Sequence, residues 1–384
     1  MFCMDFKLSE HQKEIQKLAR DFAEKEIAPF VMKFDESQEF PMDLAKKLGE
    51  MGFLGIIFPD EYGGAGFSTV EYALIIEEIS KIDPSVGLII ASHNGLCTNH
   101  IYSFANEEQK KKYLPDLTSG KKLGAWGLTE NVSGSDAASM ASYAEKKNGM
   151  YILNGSKMFI TQGTVAGVYV VTAVTDRSNP KNGISAFILE PGMPGFRIGK
   201  KENKLGMRAS DTAELIFENV EVPEENLIGK ENEGFRQVLK ILDGGRIAIA
   251  ALSLGIAQGA IENSIKYAKQ RKQFGKHLSE FQATQFKIAE LATEADAARL
   301  LILKAAVMKD AGENINTASS MAKLFASELA VKAANEAVQI HGGYGFIKEF
   351  PVEKLYRDVK LVTIGEGTSE VQRMIIAKNL TKLF

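Results

Sequence analysis

The chain has 384 residues, of which 45% are hydrophobic and 25% charged, and it carries a net charge of −3. That length can bury more than one core and fits two or three domains. Without a basic block or tail, the charge balance argues against nucleic acid as the main partner, and no apolar run approaches the roughly 20 residues of a membrane span.

The N-terminus, Met1-Phe2-Cys3-Met4-Asp5, has neither a secretory nor an arginine-rich transit pattern, and Met4 is as good a start as Met1. Cys3 and Cys97 offer no metal spacing and no disulfide framework, so a reducing, cytoplasmic location is expected. Ser9 with Gln12 forms a capping box, after which Ile15, Leu18, Phe22 and Ala23 recur at helical spacing up to Pro29. Further helices are predicted from Met42 to Met51, from Thr69 to Ile82 as an amphipathic segment, and around Glu107 to Tyr113. An apolar stretch runs from Val86 to Ala91. The texture then changes near Gly124. β-Branched runs (Tyr151–Leu153, Val168–Val174, Ala186–Leu189, Ala213–Phe217) alternate with turn residues, which predicts a small antiparallel β-domain. Helical periodicity returns after Gly229. Arg246–Gln270, Gln282–Asp310 and Thr317–Ile340 are long enough for a bundle, and Ala330, Ala333, Ala334 and Ala337 allow close packing.

The two common nucleotide loops, G-x-G-x-x-G after a strand and G-x-x-x-x-G-K-[ST], are missing, as are H-E-x-x-H and C-x-x-C. The five histidines are scattered and read as structural, and no metal site is expected. Three segments hold the chemistry instead. Gly127-Leu128-Thr129-Glu130-Asn131-Val132-Ser133-Gly134-Ser135-Asp136 is either a plain polar turn or a ligand-facing loop. Gln339-Ile340-His341-Gly342-Gly343-Tyr344-Gly345-Phe346 breaks the bundle with three glycines in four positions, ahead of Glu353, Lys354, Arg357 and Asp358. Thr363-Ile364-Gly365-Glu366-Gly367-Thr368-Ser369-Glu370 sets one acid between two glycines. Each glycine costs a helix about 1 kcal/mol relative to alanine, so a break or a close ligand approach is expected there.

The first two segments resemble the signature regions of the acyl-CoA dehydrogenase family, in the family's order and separation. Phe58-Pro59-x-Glu61-Tyr62-Gly63-Gly64-x-Gly66, Asn154-Gly155-x-Lys157-x-Phe159-Ile160-Thr161, Leu205-Gly206-Met207-Arg208-x-Ser210 and Arg271-x-Gln273-Phe274-Gly275 match further family elements. The resemblance spans nearly the whole chain and is nearest to short-chain, butyryl-type members. It implies an α+β fold: an N-terminal α-helical domain (residues 1–122), a middle antiparallel β-barrel or sandwich domain (123–231) and a C-terminal four-helix bundle (232–384). It also implies FAD bound without a Rossmann fold, an acyl-CoA or enoyl-CoA substrate, an electron-transferring flavoprotein as partner, and a homotetramer built as a dimer of dimers.

Residue by residue, the resemblance implies that Trp126, Gly127, Leu128 and Thr129 lie along the isoalloxazine, with Thr129 and Thr161 on its polar edge and Phe159 and Ile160 beside it. Ser135 would serve both cofactor and thioester. Arg271 would pair with the FAD pyrophosphate. Phe274, Gln282, Gln339, Gly342 and Gly343 would, like Arg271, reach in from a neighbouring subunit, and Thr368 and Glu370 would lie along the flavin's chain. Glu366 matches the base that removes the α-proton of an acyl thioester, its pKa raised by burial. Its backbone N–H would help polarise the carbonyl, and Gly367 would give the ligand room. Some members carry the base just before an arginine on another helix. Here that segment reads Leu242-Asp243-Gly244-Gly245-Arg246, so the alternative base is absent and Glu366 is present. Asp243 and Arg246 are candidate ligand-side contacts, with a structural ion pair nearly as good an account of Asp243.

Two positions depart from the common pattern: Gly365 stands where many relatives have tyrosine, and Gln162 where asparagine is usual. Loss of a phenol should widen the pocket for branched, cyclic or aryl acyl groups. Direction, dehydrogenase or enoyl-CoA reductase, stays open, as does an oxidase reaction. Monooxygenases and nitroalkane oxidases share the fold, but the latter use aspartate as base. A DNA-associated branch would want a basic surface.

Overall fold

The computed structural model describes residues 7–381; the expectations for the Met1–Asp5 terminus and Cys3 fall outside them. Seven helices come first: α1 (Glu10–Phe22), α2 (Val31–Ser37), α3 (Met42–Glu50), α4 (Thr69–Ile82), α5 (Pro84–Ser92), α6 (Asn99–Phe104) and α7 (Glu107–Thr118). The capping box at Ser9 and Gln12 forms in both directions, at 3.2 and 3.0 Å. Ile15, Phe22 and Ala23 are buried, but Leu18 is exposed and is not a core residue. Helical winding also continues past Pro29, through a π turn (Ala23–Ile27) and a 3-10 turn (Ala28–Phe30). Pro29 opens that last turn, where its missing N–H has no partner to lose.

The sheet follows: β1 (Gly124–Gly127), β2 (Tyr143–Lys147), β3 (Met150–Thr161), β4 (Val168–Val174), β5 (Ile184–Leu189), β6 (Phe196–Lys201), β7 (Thr212–Pro223) and β8 (Leu227–Ile228). Its order is β6-β7-β3-β2-β4-β5-β8, with β1 added against β4. The predicted antiparallel pairing holds except at β4, which takes β1 in parallel along Gly124–Gly127 and meets β2 in parallel at the single pair Tyr143–Val174. A long connection separates β1 from β4, and a parallel pair needs such a crossover. The weak β2–β4 joint lets the sheet fold over one core, in which Tyr151, Leu153 and Phe217 meet Tyr169, Phe187 and Leu189.

The last part holds α8 (Gly234–Gln270), a small hairpin of β9 (Lys272–Gln273) and β10 (Lys276–His277), α9 (Gln282–Asp310), α10 (Asn316–His341), α11 (Val352–Asp358) and α12 (Ser369–Thr381). Helix α8 starts a dozen residues before the expected Arg246, since Gly244 and Gly245 sit inside it. The expected close-packing alanines of α10, Ala330, Ala333, Ala334 and Ala337, are all buried against their neighbours.

Helix α4 is not amphipathic: every residue from Thr69 to Lys81 is buried. It lies between α1 and α8, so the N-terminal helices and the bundle share one core, in which Ile75, Ile76 and Ile79 join Leu252, Ile256 and Ala330. Gly255 and Gly259 make this possible. A Cβ on either would stand 2.5 Å from the carbonyl oxygen of Glu77 or Lys81. Close helix contact thus offsets the glycines' propensity cost.

The charged signature Glu353–Asp358 joins all three parts rather than facing a ligand. Lys354 Nζ donates to Asp83 Oδ1 at 2.8 Å and to Asp358 Oδ2 at 2.6 Å, with all three side chains buried. Asp358 Oδ1 accepts from the Met207 N–H of the β-domain. Gly206 is required beside it, because a side chain there would enter the Arg357 carbonyl.

Candidate functional site

The base segment is a broken turn between a 3-10 stretch (Val359–Thr363) and α12. Glu366 and Gly367 both take positive φ, 53° and 94°, and Thr368 Oγ1 caps α12 by accepting from Val371 N–H at 3.3 Å. The acid is thereby turned inward. Its Oε2 has no solvent contact and no hydrogen-bond partner among the described residues. Burial raises the Glu366 pKa to about 7, against the opposing charges of Lys323 and Arg246. Such a carboxylate can take up a proton near neutrality, where an exposed one cannot.

Gly245 stands against this carboxylate: a Cβ there would overlap Glu366 Oε2. The two base positions used within the resembling family therefore converge on one point, reached from α8 or from the α12 turn. Next to it, Arg246 Nη1 donates to Asp243 Oδ1 at 2.6 Å, and Asn316 Nδ2 donates to the same oxygen at 2.7 Å. Arg246 Nε is buried without a partner among the described residues, so the guanidinium keeps one unpaired donor beside the ion pair. The three atoms nearest the missing Cβ of Gly365 all belong to Leu361, at 3.5–3.8 Å, so a Cβ would fit there.

A second group lies on β1 and β3. Register shifts between Leu153 and Gly155 and between Lys157 and Ile160 bulge β3. Bulges re-aim side chains next to sites, and here Phe159 (φ 59°) is turned out with 62% of its surface exposed. Ile160 is buried behind it, in the sheet core. Met158 N–H donates to the Thr129 carbonyl at 2.8 Å, which ties the Trp126–Thr129 strand end to the bulge. Gln162 is buried and bridges to α5 through Ser92 Oγ at 3.3 Å and the Ile89 carbonyl at 3.4 Å. Ser135 lies on an exposed turn.

Arg271 forms a third group. With Tyr267, His341, Gly342, Gly343 and Tyr344 it lines a pocket of about 510 Å³, built from the bundle helices and the β9–β10 hairpin region. Nothing stands within 4 Å of the missing Cβ atoms of Gly342 and Gly343, which leaves bare backbone facing the space. Phe274, Gln282, Gln339 and Glu370 are exposed and do not line it.

Several residues received no role of their own in the sequence reading, Lys157 among them although it stood in a quoted motif. Lys157 Nζ, fully buried, donates to the Leu128 carbonyl at 3.1 Å and to Glu130 Oε1 at 2.7 Å, which fixes the loop after β1 from beneath. His100 Nδ1 accepts from Trp126 Nε1 at 2.9 Å and its Nε2 faces Gln237 Oε1 at 2.9 Å. Burial lowers its pKa to about 4, which keeps it neutral. Lys323 and Gln372 reach the base turn itself. Besides Lys157 in its motif, Lys323 left a trace in the sequence: it falls on the helical stripe of Ala326, Ala330 and Ala337, where a lysine has no reason to sit unless it has a partner.

A helical part, a folded sheet and a bundle, with a partnerless inward carboxylate at the last helix turn, define a class of enzyme scaffold that comparison with known proteins identifies. Models of the acyl-CoA dehydrogenase N-terminal, middle and C-terminal domains match residues 9–121, 125–220 and 232–381. The chain belongs to the acyl-CoA dehydrogenase family, whose members are FAD-dependent oxidoreductases. It is 52% identical to an acyl-CoA dehydrogenase of Bacillus subtilis, covering 97% of this chain and 98% of that one. It is 46% identical to a 3-(aryl)acrylate reductase of Clostridium sporogenes, covering 97% and 99%. The solved butyryl-CoA dehydrogenase of Megasphaera elsdenii superposes with a TM-score of 0.97 at 44% identity, over 98% of this chain and 100% of that one. A structure reported with the electron transferring flavoprotein of Acidaminococcus fermentans gives 0.97 at 49% identity, over 98% and 99%.

Proposed function

We propose that this protein is an FAD-dependent acyl-CoA dehydrogenase in which Glu366 removes the α-proton of an acyl-CoA thioester, leaving a trans-2-enoyl-CoA. The observation that carries the reading is Glu366 Oε2, turned inward with no solvent contact and no hydrogen-bond partner among the described residues, and burial there raises the pKa of the acid to about 7. FAD, when bound, supplies the acceptor for the β-hydrogen and its electron pair.

The residues present fit that group. Phe159, bulged out of β3 beside the Trp126–Thr129 strand end, offers an aromatic edge for a flat ring. Arg271 with the bare backbone of Gly342 and Gly343 suits a diphosphate. Trp126, Gly127, Leu128, Thr129, Ser135 and Thr161 would complete the near side, with Ile160 contributing backbone only, since its side chain is in the sheet core. Phe274, Gln282, Gln339, Thr368 and Glu370 remain proposed contacts, the first three from a neighbouring subunit. Phe274 and Phe346, exposed by 93% and 87% in the single chain, support a homotetramer that covers them. Asp243, Arg246, Ser135 and Gly367 would face the thioester, and the unpaired Arg246 Nε supports this. Electrons would pass to an electron-transferring flavoprotein, and the cytoplasm is the proposed location.

The reductase direction is a second reading, supported by the aryl-acrylate relative. The missing side chain at Gly365 likewise supports a bulkier acyl group than butyryl. The deciding experiment is a spectral titration of the yellow enzyme with acyl- and enoyl-CoAs, run beside Glu366→Gln. Bleaching by one acyl thioester class that disappears in the variant is expected. Bleaching that survives in the variant would remove Glu366 from the reaction, and a strict preference for butyryl-CoA would remove the widened pocket.

A further inference from the structure

Glu366 stands on two consecutive left-handed residues, a backbone state that a non-glycine residue holds only when its surroundings impose it. Two other helices impose it. Lys323 of α10 donates to the Gly367 carbonyl at 2.7 Å. Gln372 of α12 donates to the same oxygen at 3.0 Å and to the Glu366 carbonyl at 3.3 Å. Both side chains are fully buried. A Cβ on Gly367 would come within 2.7 Å of Gln372 Nε2, so this grip closes only over glycine.

Building on the reading of Glu366 as the base, we infer that Lys323 and Gln372 are positioning residues, a two-helix clamp on one carbonyl that fixes where the carboxylate points. Lys323 acts through its charge as well. The charged and titratable groups around Glu366 are Lys323 from α10, Arg246 from α8 and the Tyr72 phenol of α4, while Glu328 and Glu370 also act on Lys323. Burial drives the Glu366 pKa up and Lys323 is the foremost opposing charge. The two helices therefore contribute separable effects: Gln372 contributes direction alone, and Lys323 contributes direction together with the ionisation of the base.

The test is a crossed pair of variants in the FAD-loaded enzyme, Lys323→Gln and Gln372→Leu. Each is followed by the pH profile of turnover and by 13C NMR titration of labelled glutamate, with Glu366→Gln identifying the signal. Lys323→Gln keeps a donor but no charge. The Glu366 midpoint should rise by about one pH unit, in both the NMR titration and the profile. Gln372→Leu keeps the charge but loses the donors. Its plateau kcat should fall by about tenfold or more, as misaimed groups do, with KM little changed and the midpoint unmoved. Wild-type midpoint in Lys323→Gln, or wild-type kcat in Gln372→Leu, overturns the clamp. Should Lys323→Gln fail to fold, Gln372→Leu still decides the positioning claim. If Glu366→Gln keeps full turnover, the base assignment fails instead, and the NMR midpoint still reports whether Lys323 acts on that acid.

Discussion

Gly245 of α8 and Glu366 of the α12 turn compete for one position: any side chain at 245 would overlap the Glu366 carboxylate oxygen. The absence of a Cβ on one helix is thus a condition for the acid on the other. Gly245→Ala should displace the base and lower kcat by about 10²-fold, the scale at which small misplacements act. The double change Gly245→Glu with Glu366→Gly puts an acid back at the same point from α8. It should recover activity relative to either single change, and steady-state rates of the three variants check this.

The base must be ionised to accept a proton, and burial places its pKa at about 7. The rate at low substrate concentration, kcat/KM, should therefore climb as pH rises through about 7 and level off above it. Glu366→Gln should abolish that limb and cost about 10²–10⁴-fold in rate. A profile flat from pH 5 to 8 in the unmodified enzyme would count against this assignment.

Lys354 lies between two buried carboxylates, Asp83 and Asp358. Lys354→Met leaves both without their cation and should cost about 3–5 kcal/mol of stability at neutral pH, read by chemical denaturation. The pH dependence follows in sign. Burial and Asp83 already push the Asp358 pKa up, against Lys354. Without Lys354 the folded state binds protons more readily than the unfolded chain. The variant's deficit should then shrink as pH falls towards the carboxylate range, and widen as pH rises.

Arg271 faces a pocket of bare glycine backbone. Arg271→Met removes a charge-assisted contact of about 1.5–3 kcal/mol. FAD should dissociate roughly 10- to 100-fold more readily while secondary structure is retained. Flavin fluorescence released on dilution, set against circular dichroism, separates loss of cofactor from loss of fold.

How much of this was legible beforehand can be judged residue by residue. The bounds of α4, α9 and β4 follow from local signals, because capping residues, prolines and β-branched runs act within a few positions. Leu18 and the character of α4 were misjudged, because which faces a helix buries depends on what arrives from far along the chain. The parallel placement of β1 was hidden for the same reason: pairing partners far apart leave no periodic trace. Glu366 stood out through its flanking glycines, whereas Gln372, an ordinary glutamine in a helical stretch, gave no sign of its grip on Gly367.

By itself the amino-acid order determined the succession of helices, strands and helices, and the identity of the acid between two glycines. Those are local consequences of side-chain shape and backbone freedom. Only the tertiary structure decided that this acid meets Gly245 and comes under the charges of Lys323 and Arg246, that Phe159 is bulged outward, and that Lys354 ties three parts together. Such properties arise from groups far apart in the chain that burial forces into one low-dielectric space, where a single charge or a missing methyl determines what the neighbouring atom can do.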